Sequence, residues 1–549
     1  MRTALRRLCV AGVLAATASG PLLLAQSARA TTCAELTDLS LANMKIQTSA
    51  DVSAGSFTVA GVAGKPMALT VPEFCRVQVQ ATPTPDSAIG FEVWLPSQHA
   101  WNGKLLGIGN GGYSSVPDYA AMVDGLNRGY AVAATNQGHE GEDLRFVIGH
   151  PTRIEDWADR AIHVMTVGAK AIVRDRNGAW PARSYFDGCS TGGFQGMVET
   201  QRHPADYDGV IAGAPGYPRT SLSASFLAAW IVNHDEHGNE ILPRSKLAMI
   251  NKSAIAACDA LDGVTDGLIA DPRACRVEPA TLLCKGADGA DCLTAPQADV
   301  VRKIYAGPHS PHSGEPLFPG WDPGSEAPGG DPQIGWTAYI VGQPEPVRLE
   351  LWKFWLFGDP HFDWHTFNFD RDLAAAAEQI PSMNAVNPKL DAFQAHGGKL
   401  LMYHGWADNV SSARGSIDYY NSVERSVGDR SETQEFFRLF LMPGMGHCHG
   451  GPGPDTFDRL KVLDDWVEHG SAPDRIVASH MAAGKIDRTR PLCPYPQSAR
   501  YNGTGSTDEA ANFTCADQAQ TVLPSDGIWL TRLQQVYEQQ PGHSQGGQP

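Results

Sequence analysis

The feature that most constrains this chain is the stretch Tyr185-Phe-Asp-Gly-Cys-Ser-Thr-Gly-Gly-Phe-Gln-Gly196, which reads as a buried strand, a sharp turn bounded by glycines and the start of a helix. Gly188-Cys189-Ser190-Thr191-Gly192 fits Gly-x-Ser-x-Gly, a pattern in which the backbone folds back around an exposed serine so tightly that flanking side chains would clash. Far downstream, Pro443-Gly-Met-Gly-His-Cys-His-Gly-Gly451 places a histidine directly before a cysteine. One cysteine precedes the serine and one follows the histidine. A bond between Cys189 and Cys448 would hold Ser190 and His447 side by side, the arrangement that a base-activated nucleophile requires.

Residues 1–30 read as an export leader. Arg2, Arg6 and Arg7 precede an apolar run rich in Ala and Leu that ends in Ala28-Arg29-Ala30, a small-x-small cleavage site, so the mature chain is expected to begin near Thr31. Ser19-Gly20-Pro21 interrupts the run, and no other stretch approaches the ~18 apolar residues of a membrane span. The expected product is soluble, and secreted or periplasmic.

Export makes the cysteines informative. Of the 11, Cys9 leaves with the leader, and Cys33, Cys75, Cys189, Cys258, Cys275, Cys284, Cys292, Cys448, Cys493 and Cys515 remain, an even number for an oxidising compartment. None form a Cys-x-x-Cys pair, which removes support for zinc-ribbon and thioredoxin-type readings. Proximity favours Cys258 with Cys275, Cys284 with Cys292 and Cys493 with Cys515, leaving Cys33 with Cys75 and the long-range pair. Proximity alone does not fix the connectivity. The net charge of −17 and the lack of any basic run argue against nucleic acid or an anionic membrane surface as a partner.

Read in order, the chain is irregular from Thr31 to about Val71 and then alternates. Cys75–Gln80, Gly90–Leu95, Tyr130–Thr135, Ser184–Asp187 and Gly209–Gly213 read as strands, and 118–127, 157–174 and 191–203 read as helices. Such alternation implies a mostly parallel sheet. From Pro215 to about Val386 the chain is rich in Pro, Gly, Trp and Cys and loses the alternation, which resumes with strands at Gly398–Gly405, Phe436–Met442 and Arg475–Ser479 and helices at 416–427 and 457–469. The expected fold class is therefore α/β, an α/β-hydrolase core in two parts (31–220 and 387–549) interrupted by a lid domain (221–386) between the nucleophile and acid/base segments.

Ser190, Asp408 and His447 occur in the order of an α/β-hydrolase triad, each after an expected strand, where ligands sit in open parallel sheets. Each has a plainer reading alone: a structural loop serine, a helix-capping aspartate, a satisfied loop histidine. His404 and His449 are rivals for the base. Their joint placement favours the triad. Oxyanion donors are expected from the N–H of Thr191 and from Gly111 or Gly112, in the glycine-rich loop that follows the strand near Leu105. That loop lacks a Gly-Lys-Ser/Thr phosphate signature.

Within the insertion, Cys258-Asp-Ala-Leu-Asp-Gly-Val-Thr-Asp-Gly-Leu268 gathers Asp259, Asp262 and Asp266 among turn-permitting glycines. Hard oxygen ligands at this density suit Ca²⁺, with the Val264 and Leu268 carbonyls turned inward between the carboxylates. Exposed turn acids are the plainer alternative.

Taken together these residues resemble the tannase and feruloyl esterase family. The likeness rests on Gly188-Cys-Ser-Thr-Gly-Gly193 paired with Gly446-His-Cys448, on Gly109-Asn-Gly-Gly112, on the Cys258 to Pro272 loop, on Phe357-Gly-Asp-Pro-His-Phe-Asp-Trp364 and on Arg490-Pro-Leu-Cys-Pro-Tyr495. The resemblance implies a secreted serine esterase with bridged cysteines beside the triad, a calcium-bearing lid and five disulfides. Its substrates would be small aromatic esters: galloyl, hydroxycinnamoyl or, in one branch, mono(2-hydroxyethyl) terephthalate. Trp352, Trp355, Phe357 and Phe362 are candidate walls of the acyl pocket, although aromatics at such spacings are more often lid core, and Arg348 and Arg414 are candidates for a terephthalate carboxylate. A binding protein of another class, catalytically silent and calcium-stabilised, would keep the same fold to hold phenolics.

Overall fold

The computed structural model describes residues 31–330, 334–517 and 527–539. The expected leader lies outside the described residues.

Strands β1 (Met44–Val52), β2 (Gly55–Ala60), β3 (Pro66–Val71), β4 (Phe74–Ala81), β5 (Ile89–Pro96), β6 (Lys104–Ile108), β7 (Ala131–Thr135), β8 (Arg183–Cys189) and β9 (Gly209–Gly213) form the first half of the chain. β10 (Lys399–Gly405) and β11 (Phe437–Met442) follow much later. One nine-stranded sheet has the order β1-β4-β5-β7-β6-β8-β9-β10-β11. Its pairings from β7 to β11 are parallel, and those from β1 to β7 are antiparallel.

Successive residues of the central strands enter opposite clusters. Leu105, Phe186, Leu400 and Leu439 pack on one face, and Leu106, Tyr185, Leu401 and Phe440 on the other. A strand buried on both faces needs helices on both. These are α1 (Tyr119–Asn127), the short α2 (Thr152–Glu155), α3 (Ala161–Asn177) and α4 (Thr191–Arg202), where α3 and α4 cover the first face and α1 the second.

Between β9 and β10 the described residues contain helices and no named strand: α5 (Arg219–Val232), α6 (Leu247–Cys258), α7 (Ala295–Ala306), α8 (Phe369–Gln379) and α9 (Asp391–Ala395). After β10 come α10 (Ala413–Val427), α11 (Arg430–Phe436) and, beyond β11, α12 (Arg459–His469), which joins α1 on the second face.

Two expectations are corrected. The segment from Thr31 to Val71 is not irregular: β2 and β3 form a hairpin, and β1 pairs along β4 at the sheet edge. Only Ile46 of β1 is buried, so the strand is held by main-chain pairing and carries little apolar alternation to read. The last expected strand, Arg475–Ser479, forms as β12 (Ile476–Ala482) but lies outside the core sheet, in a hairpin with β13 (Lys485–Leu492).

The five expected disulfides are formed: Cys33–Cys75, Cys189–Cys448, Cys258–Cys275, Cys284–Cys292 and Cys493–Cys515. No described helix is long and apolar enough to cross a membrane.

Candidate active site

Ser190 sits between the end of β8 and the start of α4 with φ 62° and ψ −114°, a conformation a non-glycine residue adopts only when its surroundings impose it. They do so here by main-chain bonds on both sides: Ser190 N–H donates to Gly213 O (2.9 Å), and Gly216 N–H donates to Ser190 O (3.2 Å). The glycines permit the fold-back. A Cβ on Gly188 would lie 2.5 Å from the Gly192 carbonyl carbon, and one on Gly109 would lie 2.5 Å from Gly192 Cα.

A cleft of ≈ 540 Å³ opens over this turn, lined by Ser190, His447, the bridged Cys189 and Cys448, and the loop Gly109–Gly112. The bridge joins the residue before Ser190 to the residue after His447 with its Cα atoms 6.0 Å apart. Cys448, like Ser190, has a positive φ (65°). Behind the cleft, His447 Nδ1–H donates to Asp408 Oδ2 at 2.8 Å.

Asp408 is buried in the turn just past β10, and its other oxygen accepts from Val410 N–H (2.7 Å) and Ser411 N–H (2.9 Å). Burial would raise its carboxyl, but His447 and His404 on one side and these amides on the other hold it well below the usual range. A proline at position 410 or 411 would remove one of these donors, so Asn409-Val410-Ser411 is itself a carboxylate cradle. Of the rival bases, His404 is buried beneath Asp408, with Nε2 3.1 Å from Oδ2 and Nδ1 2.8 Å from Ser416 Oγ, and does not line the cleft. His449 does line it.

The glycine-rich loop is fixed from beneath. Asn110 N–H donates to Gln195 Oε1 (2.9 Å), and Asn110 Nδ2 donates to Thr135 O (2.8 Å). Thr191 is the first residue of α4, where an N–H has no intrahelical acceptor. Its hydroxyl donates to Gly112 O (2.6 Å) and accepts from Arg219 Nη2 (2.8 Å).

Sequence reasoning missed Arg219. It is buried, its guanidinium lies over the rings of Tyr113, Trp157 and Phe194, and burial with Arg348 nearby pulls it below its ordinary range. Only a fold that returns α5 to the elbow brings it there.

The arginine candidates separate. Arg348 lines the cleft, where a Cβ on Gly112 would sit 3.3 Å from its Nη2, and its guanidinium donates to Tyr339 Oη (3.1 Å). Among the described residues no carboxylate lies within ion-pair distance of it. Arg414 is bound to buried Asp322 (2.6 Å) and lies outside the cleft.

Of the two readings of the lid aromatics, the core reading holds for the tryptophans, and none of the four lines the cleft. Trp352 and Trp355 are buried core, the latter edge-on to Trp157, and Phe357 and Phe362 stack on each other away from the cleft. The rings that do line it are Tyr339, Tyr403 and Phe457. Asp187 also lines it, held by Arg459 Nε at 2.8 Å.

In the acid loop, Asp259 accepts from Asp266 N–H and Gly267 N–H (3.0 Å each), and Asp266 pairs with Arg490. Burial raises the Asp262 carboxyl and its neighbours Asp266 and Asp259 add to this, while the Val264 N–H opposes it. Excess negative charge in a loop closed by Cys258–Cys275 fits a hard cation. The three carboxylates, however, do not meet within 4.8 Å of one another. No donor among the described residues reaches the Val264 or Leu268 carbonyl.

A nucleophile elbow on a mostly parallel sheet, with its serine, a carboxylate-bound histidine and a glycine loop sharing one cleft, defines an α/β-hydrolase. The family profile described as tannase and feruloyl esterase matches residues 75–516, and the chain belongs to that family, which makes it a carboxylic ester hydrolase. It is 36% identical to an uncharacterized esterase of Xanthomonas campestris pv. campestris, over 94% of this chain and 95% of that one. It is 34% identical to the mono(2-hydroxyethyl) terephthalate hydrolase of Piscinibacter sakaiensis, over 78% and 81%. The fold superposes on the crystal structure of feruloyl esterase B from Aspergillus oryzae with a TM-score of 0.82 and 28% identity, covering 88% of this chain and all of that one.

Proposed function

We propose that this chain is an exported serine esterase that cleaves aromatic acyl esters through an acyl-enzyme on Ser190. The single observation that carries the reading is the bridge Cys189–Cys448, which ties Ser190 to a histidine already bonded to a buried carboxylate. Ser190 Oγ attacks the acyl carbon as His447 Nε2 takes its proton. The tetrahedral intermediate collapses, and the same proton leaves with the alcohol. Water then repeats the sequence on the acyl-enzyme and frees the acid. Asp408 holds the imidazole tautomer, and the Thr191 N–H with a Gly111 or Gly112 N–H receives the oxyanion. Five disulfides and the leader-like residues 1–30 support an oxidising destination. The 221–386 segment acts as the lid. Asp259, Asp262 and Asp266 with the Val264 and Leu268 carbonyls would hold a Ca²⁺ there, supplying charge neutralisation and rigidity and no chemistry.

Arg348 favours one narrower reading. A half-buried guanidinium in the cleft, without an acid partner among the described residues, suits an acyl group with a free carboxylate, as in a terephthalate half-ester. The deciding experiment assays methyl ferulate, methyl gallate and mono(2-hydroxyethyl) terephthalate side by side, with Ser190→Ala as control. Turnover of at least one, lost in the variant, is expected. Turnover of none, with phenolic binding retained, would instead favour a silent binding protein.

A further inference from the structure

Away from the cleft, at the opposite end of α4 from Ser190, side chains of α3, α4 and the turn after it converge. His163, His203 and Asp206 each present a ligand atom within 4.8 Å of the others. His163 Nδ1 lies 2.6 Å from Asp206 Oδ2, and the two imidazoles stack with centroids 4.1 Å apart. His203 Nε2 bonds Asp159 Oδ1 at 2.6 Å. A carboxylate on one ring nitrogen fixes the tautomer and leaves the other, Nδ1, as the basic atom, the support that metal-binding imidazoles typically have.

Beneath the cluster lies Glu199. It is 1% exposed, and burial together with Asp206 and Asp159 pushes its carboxyl well above the usual range, with a hydrogen bond to Asp206 adding to the shift. Glu199 and Asp206 thus meet as a buried acid pair, beside which a positive charge would be stabilised. Of the nearby cations, Arg202 reaches Asp159 at 3.4 Å, and the Lys170 ammonium, bonded to the main-chain carbonyl of Asp206, offsets part of the Glu199 charge. Two other triplets of potential ligands converge as closely among the described residues, but each contains a cystine pair (Cys33–Cys75 or Cys284–Cys292), whose sulfurs are spent in disulfides.

We propose that His163, His203 and Asp206 bind a transition-metal dication of the zinc class, with Asp159 orienting His203 and Glu199 lying beneath. Two imidazoles and a carboxylate suit Zn²⁺ or Co²⁺ and discriminate against Ca²⁺, which prefers all-oxygen shells. All three ligand residues are half-buried or at the burial boundary, so an ion can enter from solvent. The stacked rings have to splay for their lone pairs to meet at one point. The ion would tie α3 to the C-terminal end of the helix that Ser190 precedes, so its role is to fix that helix and not to react.

The test uses the untagged full chain, stripped with a chelator and dialysed, then titrated with Zn²⁺, Co²⁺ or Ca²⁺. The expected result is one equivalent of Zn²⁺ or Co²⁺ with a raised melting temperature, and visible Co²⁺ absorption bands of a nitrogen-containing site. His163→Ala and His203→Ala should each weaken binding by at least about tenfold, with Ca²⁺ binding and basal ester hydrolysis unchanged. Glu199→Gln, which keeps the side-chain shape, should weaken it less. If the histidine variants fold poorly, the Co²⁺ spectrum of the unaltered chain decides. No uptake and no such bands, or equal uptake by the His163→Ala/His203→Ala variant, would overturn the site.

Discussion

Arg219 Nη2 donates to Thr191 Oγ1 at 2.8 Å, and the same hydroxyl donates to the Gly112 carbonyl at 2.6 Å, so one buried guanidinium ties the first turn of α4 to the glycine loop. Both ends of that tie carry the N–H groups proposed to receive the oxyanion, and their spacing decides how well they do so. Thr191→Val keeps the N–H and the shape but cuts the tie. We expect kcat to fall by roughly 10-fold or more with KM little changed, below the ~10²–10³ loss seen when an oxyanion donor itself is removed. Thr191→Ser should recover most of it. An unchanged kcat in Thr191→Val would remove the role.

The bridge Cys189–Cys448 closes 259 residues of chain, and in the chain-entropy model such a loop contributes up to about 5 kcal/mol. Its geometric effect is separable. Cys189→Ala/Cys448→Ala should lower the denaturation midpoint and also lower kcat under conditions where the variant remains folded, because His447 is then held only by its bond to Asp408. A variant that is less stable yet turns over at the original rate would leave the bridge a purely structural role.

Arg348 stands beside Gly112 at the cleft wall, and a carboxylate bonded to it is worth about 1.5–3 kcal/mol, roughly a 10- to 100-fold effect. For Arg348→Leu we expect kcat/KM on the terephthalate half-ester to fall within that range while methyl ferulate changes by about threefold or less. Equal losses on both esters would mean that Arg348 shapes the cleft without reading charge.

The core and the proposed chemistry were legible in the sequence for a common reason: both are local. Ser190, Asp408 and His447 each follow a strand that advertises itself by burial on both faces, and the glycines around Ser190 report contacts with residues close by in sequence or on the neighbouring loop. What stayed hidden depends on returns of the chain. Arg219 reaches Thr191 only because α5 doubles back, and His163 meets His203 only across two helices. The edge strand β1 escaped because main-chain pairing leaves no hydropathy pattern, and the aromatics of 352–362 admitted two readings because core packing and pocket walls use the same residues.

The acid loop makes its own prediction. Chelation of the full chain, followed by a melting scan, should lower the transition, and Ca²⁺ should restore it. Asp262→Asn should lessen the response, since Asp262 is the carboxyl that burial and its acidic neighbours most disfavour as an anion. A transition indifferent to chelator would mean that Arg490 and the loop amides suffice to hold Asp259 and Asp266.

Asp408 gives a pH dependence whose sign is fixed by its surroundings. Its folded carboxyl lies well below the ordinary value of 3.8, since His447, His404 and two amides outweigh the burial that would raise it. A group depressed in this way stabilises the fold fully above its unfolded value, and that contribution is lost as pH falls through the folded one. The stability advantage of the unaltered chain over Asp408→Asn should therefore be in place above about pH 4 and shrink below it. Because Asp408 stays ionised at every pH above that window, any activity lost between pH 7 and pH 5 belongs to another group, and Asp408→Asn should be slow throughout, by up to about 10⁴-fold in kcat. Denaturant titrations at neutral pH, pH 4 and pH 3 measure the first effect and pH–rate profiles the second. A stability gap that keeps widening below pH 4 would show that the carboxylate is not held as an anion, and the Asp408–His447 pair would then lack the charge that the proposed base requires.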